Sequence, residues 1–300
     1  VKKPVAPKKM FSVLGAWILG FLIPFGLIYV KEMLNNKLVS KHDLDKLTES
    51  PILSEIPRLY RKDGEVITKN DVSPLAESFR ILVTNLNFML PKTNEAKTIF
   101  VTSTVKGEGK TFVSVNLALA LASSTRKVLV IGSDIRNPQL QRYNPAMKGA
   151  KGLSEYLYEE IDNVRDIIHP SGFHPNCDFI YSGVIPPNPT DLLQNGRYEQ
   201  LIESLKSDYE YIILDTAPLM LVTDTFLISN AADATLYVTR SEVTEKSFID
   251  FANNNIQSEK IKNVSFVLND VHQSNFGYGN KYGYGYQAEK QSFFRRLLNR

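Results

Sequence analysis

The first long apolar segment of the chain lies between residues 10 and 30. Its 21 residues include no charged side chain, and a helix of that length spans about 30 Å, the thickness of the hydrocarbon core of a bilayer. The alternatives are a buried core helix and a cleaved signal peptide. The apolar part of a signal peptide is shorter and precedes a small-residue cleavage site, whereas Lys31 and Glu32 follow here. The pattern therefore predicts one transmembrane helix over residues 10–30.

From residue 73 onward, short apolar runs alternate with longer amphipathic segments. Ser73 is placed to cap a helix that begins at Pro74 and has an apolar residue every three or four positions. Six short runs are predicted as strands, over residues 98–103, 127–132, 178–183, 211–215, 234–239 and 264–269. Continuous apolar runs are typical of parallel strands that are covered on both faces. We therefore expect an α/β fold, a doubly wound and mostly parallel sheet that binds its ligand at the carboxyl ends of the strands.

Composition and charge limit the kinds of site and partner that are expected for this chain. With 43% hydrophobic residues it can bury a core, and the single cysteine, Cys177, excludes a disulfide framework and a multi-cysteine metal site. Of the total charge of +3, residues 1–46 carry +5 and residues 276–300 carry +4, which leaves −6 for the middle. A nucleic-acid-binding domain would concentrate positive charge in its folded part, so no nucleic-acid partner is expected. The predicted segments are a flank (1–9), the membrane helix (10–30), a juxtamembrane linker (31–72), a globular domain (73–275) and a tail (276–300).

A glycine-rich loop follows the first predicted strand. Residues 104–111, TVKGEGKT, keep Gly109, Lys110 and Thr111 of the P-loop pattern G-x-x-x-x-G-K-[ST], with Thr104 in place of its first glycine. The backbone N–H groups of such a loop bind phosphate oxygens, the lysine reaches the β- and γ-phosphates, and the threonine hydroxyl binds Mg²⁺. The expected fold is therefore of the P-loop NTPase type. The residues expected to bind the cofactor ATP in this loop are Lys106, Gly107, Glu108, Gly109, Lys110, Thr111 and Phe112.

Two aspartates at strand ends are candidates for holding the magnesium ion. Asp215 ends the strand 211–215 and has the form of a Walker B carboxylate, and Asp134 follows the strand 127–132. Together with Thr111 they would hold Mg²⁺, partly through water. Each aspartate is alternatively a helix cap or a turn former.

At this point the motifs resemble those of bacterial tyrosine kinases (BY-kinases), the P-loop kinases attached to capsular and exopolysaccharide co-polymerases. The resemblance extends from the membrane helix to the last residue and implies a doubly wound kinase domain in the cytoplasm. The matching segments are the Walker A motif at 101–111, the Walker A′ motif at 128–138, the Walker B motif at 212–218, and the stretches 76–88 and 182–193.

The resemblance also implies a location and a set of partners. The chain would lie in the bacterial inner (cell) membrane, with residues 1–9 in the periplasm. Because the sequence opens with Val1, we expect it to be a fragment that lacks a first membrane helix and a periplasmic chain-length domain. The implied partners are other copies of the chain in a homo-oligomer, a cognate tyrosine phosphatase, and the machinery of polysaccharide polymerisation and export.

Several residues depart from the family pattern. Lys106 stands where the family usually has proline, and Gly132 occupies the first acidic position of Walker A′, which leaves Asp134 as the carboxylate there. In the helix ahead of the P-loop, Glu77 and Arg80 match the oligomerisation pattern E-x-x-R-x-x-R, but its second arginine is replaced by Val83. Glu77 and Arg80 are therefore expected at an oligomer contact that is weaker than in the family.

The C-terminal tail carries the expected phosphoacceptors. Glycine is interleaved with four tyrosines between residues 276 and 286, a composition with no apolar face to bury and too much glycine for a helix, so we expect a flexible tail. The alternative is an aromatic segment that stacks on single-stranded nucleic acid. The nearby P-loop favours phosphorylation, and the resemblance implies autophosphorylation of a C-terminal tyrosine cluster. The candidate acceptors are Tyr278, Tyr282, Tyr284 and Tyr286.

The expected reaction transfers the γ-phosphoryl group of MgATP to a tail tyrosine of a neighbouring copy. Lys110, Asp134 and Asp215 are the expected catalytic residues, with Asp134 accepting or positioning the phenolic proton. Arg240 and Asn269 lie at strand ends where an adenine is expected.

Two other functions remain open at this point. One is a partition- or septum-type ATPase that acts through nucleotide-controlled dimerisation, although Val105 stands where those proteins carry an additional lysine. The other is a catalytically weak assembly scaffold that binds nucleotide, which the replacement at Gly132 favours.

Overall fold

The computed structural model describes residues 9–60, 64–93, 95–222 and 225–277. It contains two compact units, one that ends at Lys37 and one that begins at Leu38. The first unit contains helix α1, Lys9–Met33. Within it the stretch Val13–Lys31 is long and apolar enough to cross a membrane, and none of it is buried inside the protein. The predicted apolar helix is confirmed by length and composition.

In the described residues of the second unit, eight strands form one sheet in the order β1-β8-β7-β2-β6-β3-β5-β4. Neighbouring strands are parallel except for the pair β4 and β5 at one edge. The predicted doubly wound, mostly parallel sheet is confirmed, with strand ends shifted by up to three residues. The strands are β1 Ile52–Pro57, β2 Lys97–Ser103, β3 Val128–Gly132, β4 Ile168–Pro170, β5 Cys177–Ile180, β6 Tyr211–Asp215, β7 Ala234–Arg240 and β8 Val264–Val271.

Helices cover both faces of the sheet, and each face has its own apolar core. α3 begins where the sequence predicts, with the Ser73 hydroxyl accepting a hydrogen bond from the Ala76 N–H at 3.2 Å, and packs with α4 on one face. Side chains from α5, α7 and α9 pack on the other face. The helices of this unit are α2 Lys41–Asp45, α3 Pro74–Met89, α4 Lys110–Leu121, α5 Leu153–Leu157, α6 Pro189–Gln194, α7 Arg197–Leu205, α8 Thr225–Ser229 and α9 Lys246–Gln257.

The folded unit begins earlier than the sequence predicts. Residues 31–72 are expected to form a linker, but the side chains of Leu38, Leu44 and Ile56 are fully buried, and β1 pairs in parallel with β8. The sequence of β1 does not have the continuous apolar run of the central strands, because it contains Ser54 and Glu55. Both are buried, and the Ser54 hydroxyl donates to the Ser78 carbonyl at 2.8 Å. The predicted boundary at residue 73 is therefore wrong, and most of the expected linker belongs to the domain.

Candidate nucleotide site

The P-loop lies at the centre of the sheet. It joins β2, which pairs with both β6 and β7, to the N-terminus of α4. Gly107 and Gly109 have φ angles of +92° and +103°, in the left-handed region that favours glycine. At Gly109 a Cβ would also overlap the side-chain amide of Asn269. The chain thus approaches β8 closely and then enters α4 with the helix N-terminus beside the loop, which is the arrangement that binds phosphate.

A cleft of about 530 Å³ opens in front of this loop. Most of the residues predicted to bind nucleotide line it, together with residues that the sequence does not single out, such as Arg136 and Arg142. The predicted residues that line the cleft are Lys106, Gly107, Gly109, Lys110, Thr111, Phe112, Asp134, Arg240 and Asn269.

Lys110 extends from the first turn of α4 and is almost completely buried. Its ammonium group donates to the Ser103 hydroxyl at 3.1 Å. Burial lowers the pKa of Lys110, and the negative charges of Asp215 and Asp134 partly oppose that effect. A triphosphate beside this ammonium would supply further negative charge and favour its protonated form.

Asp215 and Asp134 lie side by side because the ends of β6 and β3 are hydrogen-bonded. The Ser133 and Asp134 N–H groups both donate to the Asp215 carbonyl, at 2.8 and 3.1 Å. Burial raises the pKa of the Asp215 carboxyl to about 7, while the Thr111 hydroxyl and Lys110 act in the opposite direction. Burial also raises the pKa of Asp134, although its carboxylate accepts the Asn137 N–H at 2.9 Å.

These groups are suited to bind a hard cation that also contacts phosphate oxygens. Two carboxylates and the Thr111 hydroxyl provide oxygen ligands beside the phosphate loop, which is the donor set that Mg²⁺ prefers. Across the described residues, no group of three His, Cys, Asp or Glu side chains could hold a metal ion. A cation at this position would complete its coordination with nucleotide oxygens and water.

Glu108 contributes to the site through its backbone. Its side chain is fully buried and turns away from the cleft, accepting the Val105 N–H at 2.7 Å and the Thr244 hydroxyl. Thr104, at the first glycine position of the motif, is also fully buried, and its hydroxyl pairs with the Tyr237 hydroxyl at 2.8 Å. A threonine fits here because its side chain points into the domain. The sequence gives no signal for Thr244 or Tyr237, because they meet the loop only in the folded sheet.

Arg240 and Asn269 line the cleft, as expected, but their polar groups hold the P-loop. Arg240 donates to the Gly107 carbonyl at 2.9 Å, and Asn269 donates to the Glu108 carbonyl at 2.9 Å. Their expected contact with adenine stays a prediction.

Gly132 is tightly packed against the segment that follows β5. A Cβ at this position would lie 2.8 Å from the Ser182 hydroxyl oxygen and 3.2 Å from the Ser182 backbone nitrogen. The Ser182 hydroxyl in turn donates to the Gly132 carbonyl at 2.7 Å. A larger side chain at residue 132 would require Ser182 to move.

The remaining predicted residues lie elsewhere. Glu77 and Arg80 form an ion pair of 2.8 Å on the solvent-exposed side of α3, where about half of each side chain is accessible. The predicted acceptors lie outside the described residues: Tyr278, Tyr282, Tyr284 and Tyr286.

The fold and the phosphate loop define a P-loop NTPase, and comparison with known proteins agrees. Residues 96–263 match the family model described as AAA domain. The chain is 35% identical over 215 residues to the tyrosine-protein kinase CpsD of Streptococcus agalactiae, a match that covers 72% of this chain and 92% of that protein. It is 30% identical over 289 residues to a putative tyrosine-protein kinase in the cps region of Klebsiella pneumoniae, which covers 90% of this chain and 39% of that protein.

Solved structures give the same result. The BceF tyrosine kinase domain superposes with a TM-score of 0.67 at 26% identity and covers 78% of this chain and 99% of that structure. The kinase domain of the Escherichia coli tyrosine kinase ETK gives a TM-score of 0.66 at 25% identity and covers 76% of this chain and 92% of that structure. The chain belongs to the bacterial tyrosine kinase family of capsule and exopolysaccharide biosynthesis, and the predicted family is confirmed.

Proposed function

We propose that this protein is an ATP-dependent tyrosine autokinase that phosphorylates the tail of a neighbouring copy. The observation that carries the proposal is that the N-terminus of α4, Lys110 and Asp134 line one cleft. The carboxyl of Asp215 is buried directly behind it, where it interacts with the Thr111 hydroxyl and with Lys110. In a member of the tyrosine kinase family, this set supplies what phosphoryl transfer needs, which is a phosphate cradle, a cation site and a proton acceptor.

Each residue has a distinct role in the proposed reaction. The backbone N–H groups of residues 107–111 and the Lys110 ammonium bind the β- and γ-phosphates of ATP. Thr111, Asp215 and Asp134 hold Mg²⁺, partly through water; when bound, the ion neutralises charge on the phosphate oxygens. Since the site is already shaped by contacts within the domain, little reorganisation accompanies the reaction.

Asp134 is the proposed proton acceptor. The tyrosine hydroxyl has a pKa of about 10 in water and is protonated at neutral pH. In the proposed step its oxygen forms a bond to the γ-phosphorus, the bond from that phosphorus to the bridging oxygen of ADP breaks, and the phenolic proton passes to Asp134. Burial favours the protonated form of the Asp134 carboxyl, which supports this role provided that Asp134 contacts the Mg²⁺ ion through water and not directly.

The proposal extends to location, assembly and output. Helix α1 would cross the bacterial inner membrane, with residues 1–9 in the periplasm and the kinase domain in the cytoplasm. The exposed pair Glu77 and Arg80 would contact another copy in the unphosphorylated oligomer. Phosphate added to the tails would introduce about −1.5 to −2 charges per tyrosine and favour dissociation. A tyrosine phosphatase would reverse this step, and the cycle would regulate polysaccharide polymerisation and export.

The direct test is phosphotyrosine mapping after incubation with MgATP. The wild-type chain should carry phosphate on Tyr278, Tyr282, Tyr284 or Tyr286, and Lys110→Met should reduce labelling by at least about 100-fold because it removes the ammonium from the transferring phosphoryl group. Lys127→Met is the matched control and should label like wild type. Lys127 is exposed and directly precedes β3, at the amino ends of the strands, whereas the P-loop follows the carboxyl end of β2. Label only on serine and threonine would contradict the proposal.

A second candidate is an assembly scaffold that binds nucleotide without phosphorylating tyrosine, and Gly132 favours it. Gly132 removes one carboxylate from the Walker A′ segment, and its packing against Ser182 leaves little room for a replacement. Binding of MgATP with no phosphotyrosine in the wild-type chain would support the scaffold.

A further inference from the structure

An ion-pair network connects three strand ends to the P-loop. Asp270, near the end of β8, accepts the Arg58 Nε at 3.0 Å through Oδ1. Its Oδ2 accepts Nε and pairs with Nη2 of Arg240, both at 3.0 Å. Arg58 follows β1 and also pairs with Glu242, beyond the end of β7, at 2.8 Å. Asp270 therefore lies between two arginines. Its Oδ1 accepts from Arg58, and its Oδ2 is shared by Arg240 and, at 3.5 Å, by Nη2 of Arg58.

The backbone of Asp270 is unusual for the interior of a strand. Its φ angle is +59°, in the left-handed region, which is unfavourable for most residues and least so for glycine, asparagine and aspartate. Such backbone conformations are maintained only where contacts with the surrounding structure compensate for their energetic cost, and they occur often at functional sites. Here the conformation accompanies a carboxylate that is directed onto Arg240.

Arg240 connects Asp270 to the P-loop. With two of its nitrogens on Asp270, its third nitrogen, Nη1, donates to the Gly107 carbonyl at 2.9 Å. Asn269, the residue before Asp270, contacts the next peptide group of the loop: its side-chain amide donates to the Glu108 carbonyl at 2.9 Å. Two consecutive residues at the end of β8 thus control two consecutive carbonyl groups of the loop, one through Arg240 and one directly.

The direction of these carbonyl groups determines the direction of the loop's donors. In a trans peptide the C=O of one residue and the N–H of the next point in opposite directions. With the Gly107 and Glu108 carbonyls turned toward Arg240 and Asn269, the N–H groups of Glu108 and Gly109 point away from those side chains. Those N–H groups belong to the P-loop that binds phosphate in the proposed function.

We propose that Asp270 is a positioning residue for nucleotide binding, which fixes Arg240 so that its guanidinium holds the Gly107 carbonyl and orients the N–H groups of the P-loop toward phosphate. This inference rests on the proposed function only in that the P-loop binds a nucleotide. Asp270 borders the cleft, and the proposed effect on the P-loop passes through Arg240.

The test compares two neutralised acids that share the partner Arg58. Asp270→Asn keeps the size and the tolerance of a positive φ while it removes the charge that holds Arg240. Glu242→Gln is the matched control, because Glu242 also has a positive φ, +61°, and pairs with Arg58, at 2.8 Å. The full chain is used, and the probe is a fluorescent ADP analogue with Mg²⁺, with phosphotyrosine formation measured separately at saturating ATP.

Asp270→Asn should weaken nucleotide binding about five- to tenfold, the loss expected when one charge-assisted hydrogen bond to the loop is no longer fixed. Its rate at saturating ATP should stay within about twofold of wild type, because the bound state restores the loop. Glu242→Gln should bind like wild type. Wild-type affinity in Asp270→Asn, or an equal loss in Glu242→Gln, would overturn the proposal.

A double variant separates positioning from general support of the fold. Arg240→Lys keeps the positive charge but cannot hold Asp270 and the Gly107 carbonyl together. In that background Asp270→Asn should cause no further loss of affinity beyond about twofold, since both changes interrupt one path. Independent, additive losses would overturn the proposal. Absence of nucleotide binding by the wild-type chain would instead refute the proposed function, so the two failures are distinguishable.

Discussion

Asp215, the proposed cation ligand, shows how burial changes the protonation of a single carboxyl group. At 2% exposure it exchanges little with water, and burial raises the pKa of its carboxyl to about 7. In the unfolded chain the same group has a pKa of about 3.9. The neutral form therefore stabilises the nucleotide-free protein at low pH, and this contribution is lost as the pH rises through 7. Cation binding has the opposite dependence, because only the carboxylate is a ligand.

We expect the affinity for MgADP to rise with pH through the titration of Asp215. Between pH 6 and pH 8 the ionised fraction of a group with this pKa increases about tenfold, and affinity should follow. Asp215→Asn should bind more weakly and with a shallower pH profile, which retains only the contribution of other groups in the site such as Asp134. Titration calorimetry at several pH values checks this, and a wild-type affinity that is constant or falls between pH 6 and pH 8 would contradict the assignment of Asp215.

Gly109 gives a second prediction at the scale of one residue. Gly109→Ala should destabilise the domain by about 2–5 kcal/mol, because a Cβ adds the strain of a positive φ and an overlap with Asn269. Gly172→Ala is the matched control: Gly172 has a φ of +81°, and a Cβ there meets no atom within 4 Å. The control should lose only about 1–2 kcal/mol. Denaturant unfolding measures both, and equal losses would show that the Asn269 contact is unimportant.

At the scale of elements, β1 shows that the folded unit begins well before residue 73 in the sequence. Ile56 is fully buried in the core, so Ile56→Ala should reduce the free energy of unfolding by about 2–5 kcal/mol. Val72 lies in the same predicted linker but is 83% exposed, and Val72→Ala should change it by no more than about 0.5 kcal/mol. Denaturant unfolding of the two variants distinguishes a core strand from a linker. Losses below about 0.5 kcal/mol in both would mean that residues 52–57 do not contribute to the core.

The elements differ in how far the sequence determines them. β2, β3 and β6–β8 are predicted because central parallel strands are apolar on both faces. β1 is missed since Ser54 and Glu55 interrupt its apolar run, and their burial depends on partners at Ser78 and Gly277 that are distant in sequence. Local pattern shows which face a residue prefers, but it does not show which distant group will satisfy a buried polar atom.

The same limit applies to the site. The P-loop, Asp134 and Asp215 follow from motifs, because phosphate and magnesium chemistry requires those residue types at that spacing. The contacts that shape the loop do not follow from motifs. Thr244 contacts Glu108, and Asp270 acts on Gly107 through Arg240, only because β7 lies beside β2 and β8 lies beside β7. Strand order cannot be predicted from a local sequence pattern.

At the scale of the whole molecule, charge and chain order suggest how the parts cooperate. The basic N-terminal region carries +5 and the basic tail +4, around a body of −6, which would favour contact between a tail and the body of another copy. Helix α1 would hold the copies in one membrane plane and raise their effective concentration. Transfer between copies is thus the central claim about the assembled protein.

The most direct test mixes two variants of the chain, neither of which can phosphorylate its own tail. One copy carries Lys110→Met with an intact tail, and the other has an intact site with Tyr278, Tyr282, Tyr284 and Tyr286 all changed to phenylalanine. With MgATP, we predict phosphotyrosine on the tail of the Lys110→Met copy in the mixture, and none on either variant alone. The account would be contradicted if the mixture of variants formed no phosphotyrosine while the wild-type chain, in a separate reaction, labelled its own tail at a rate independent of concentration.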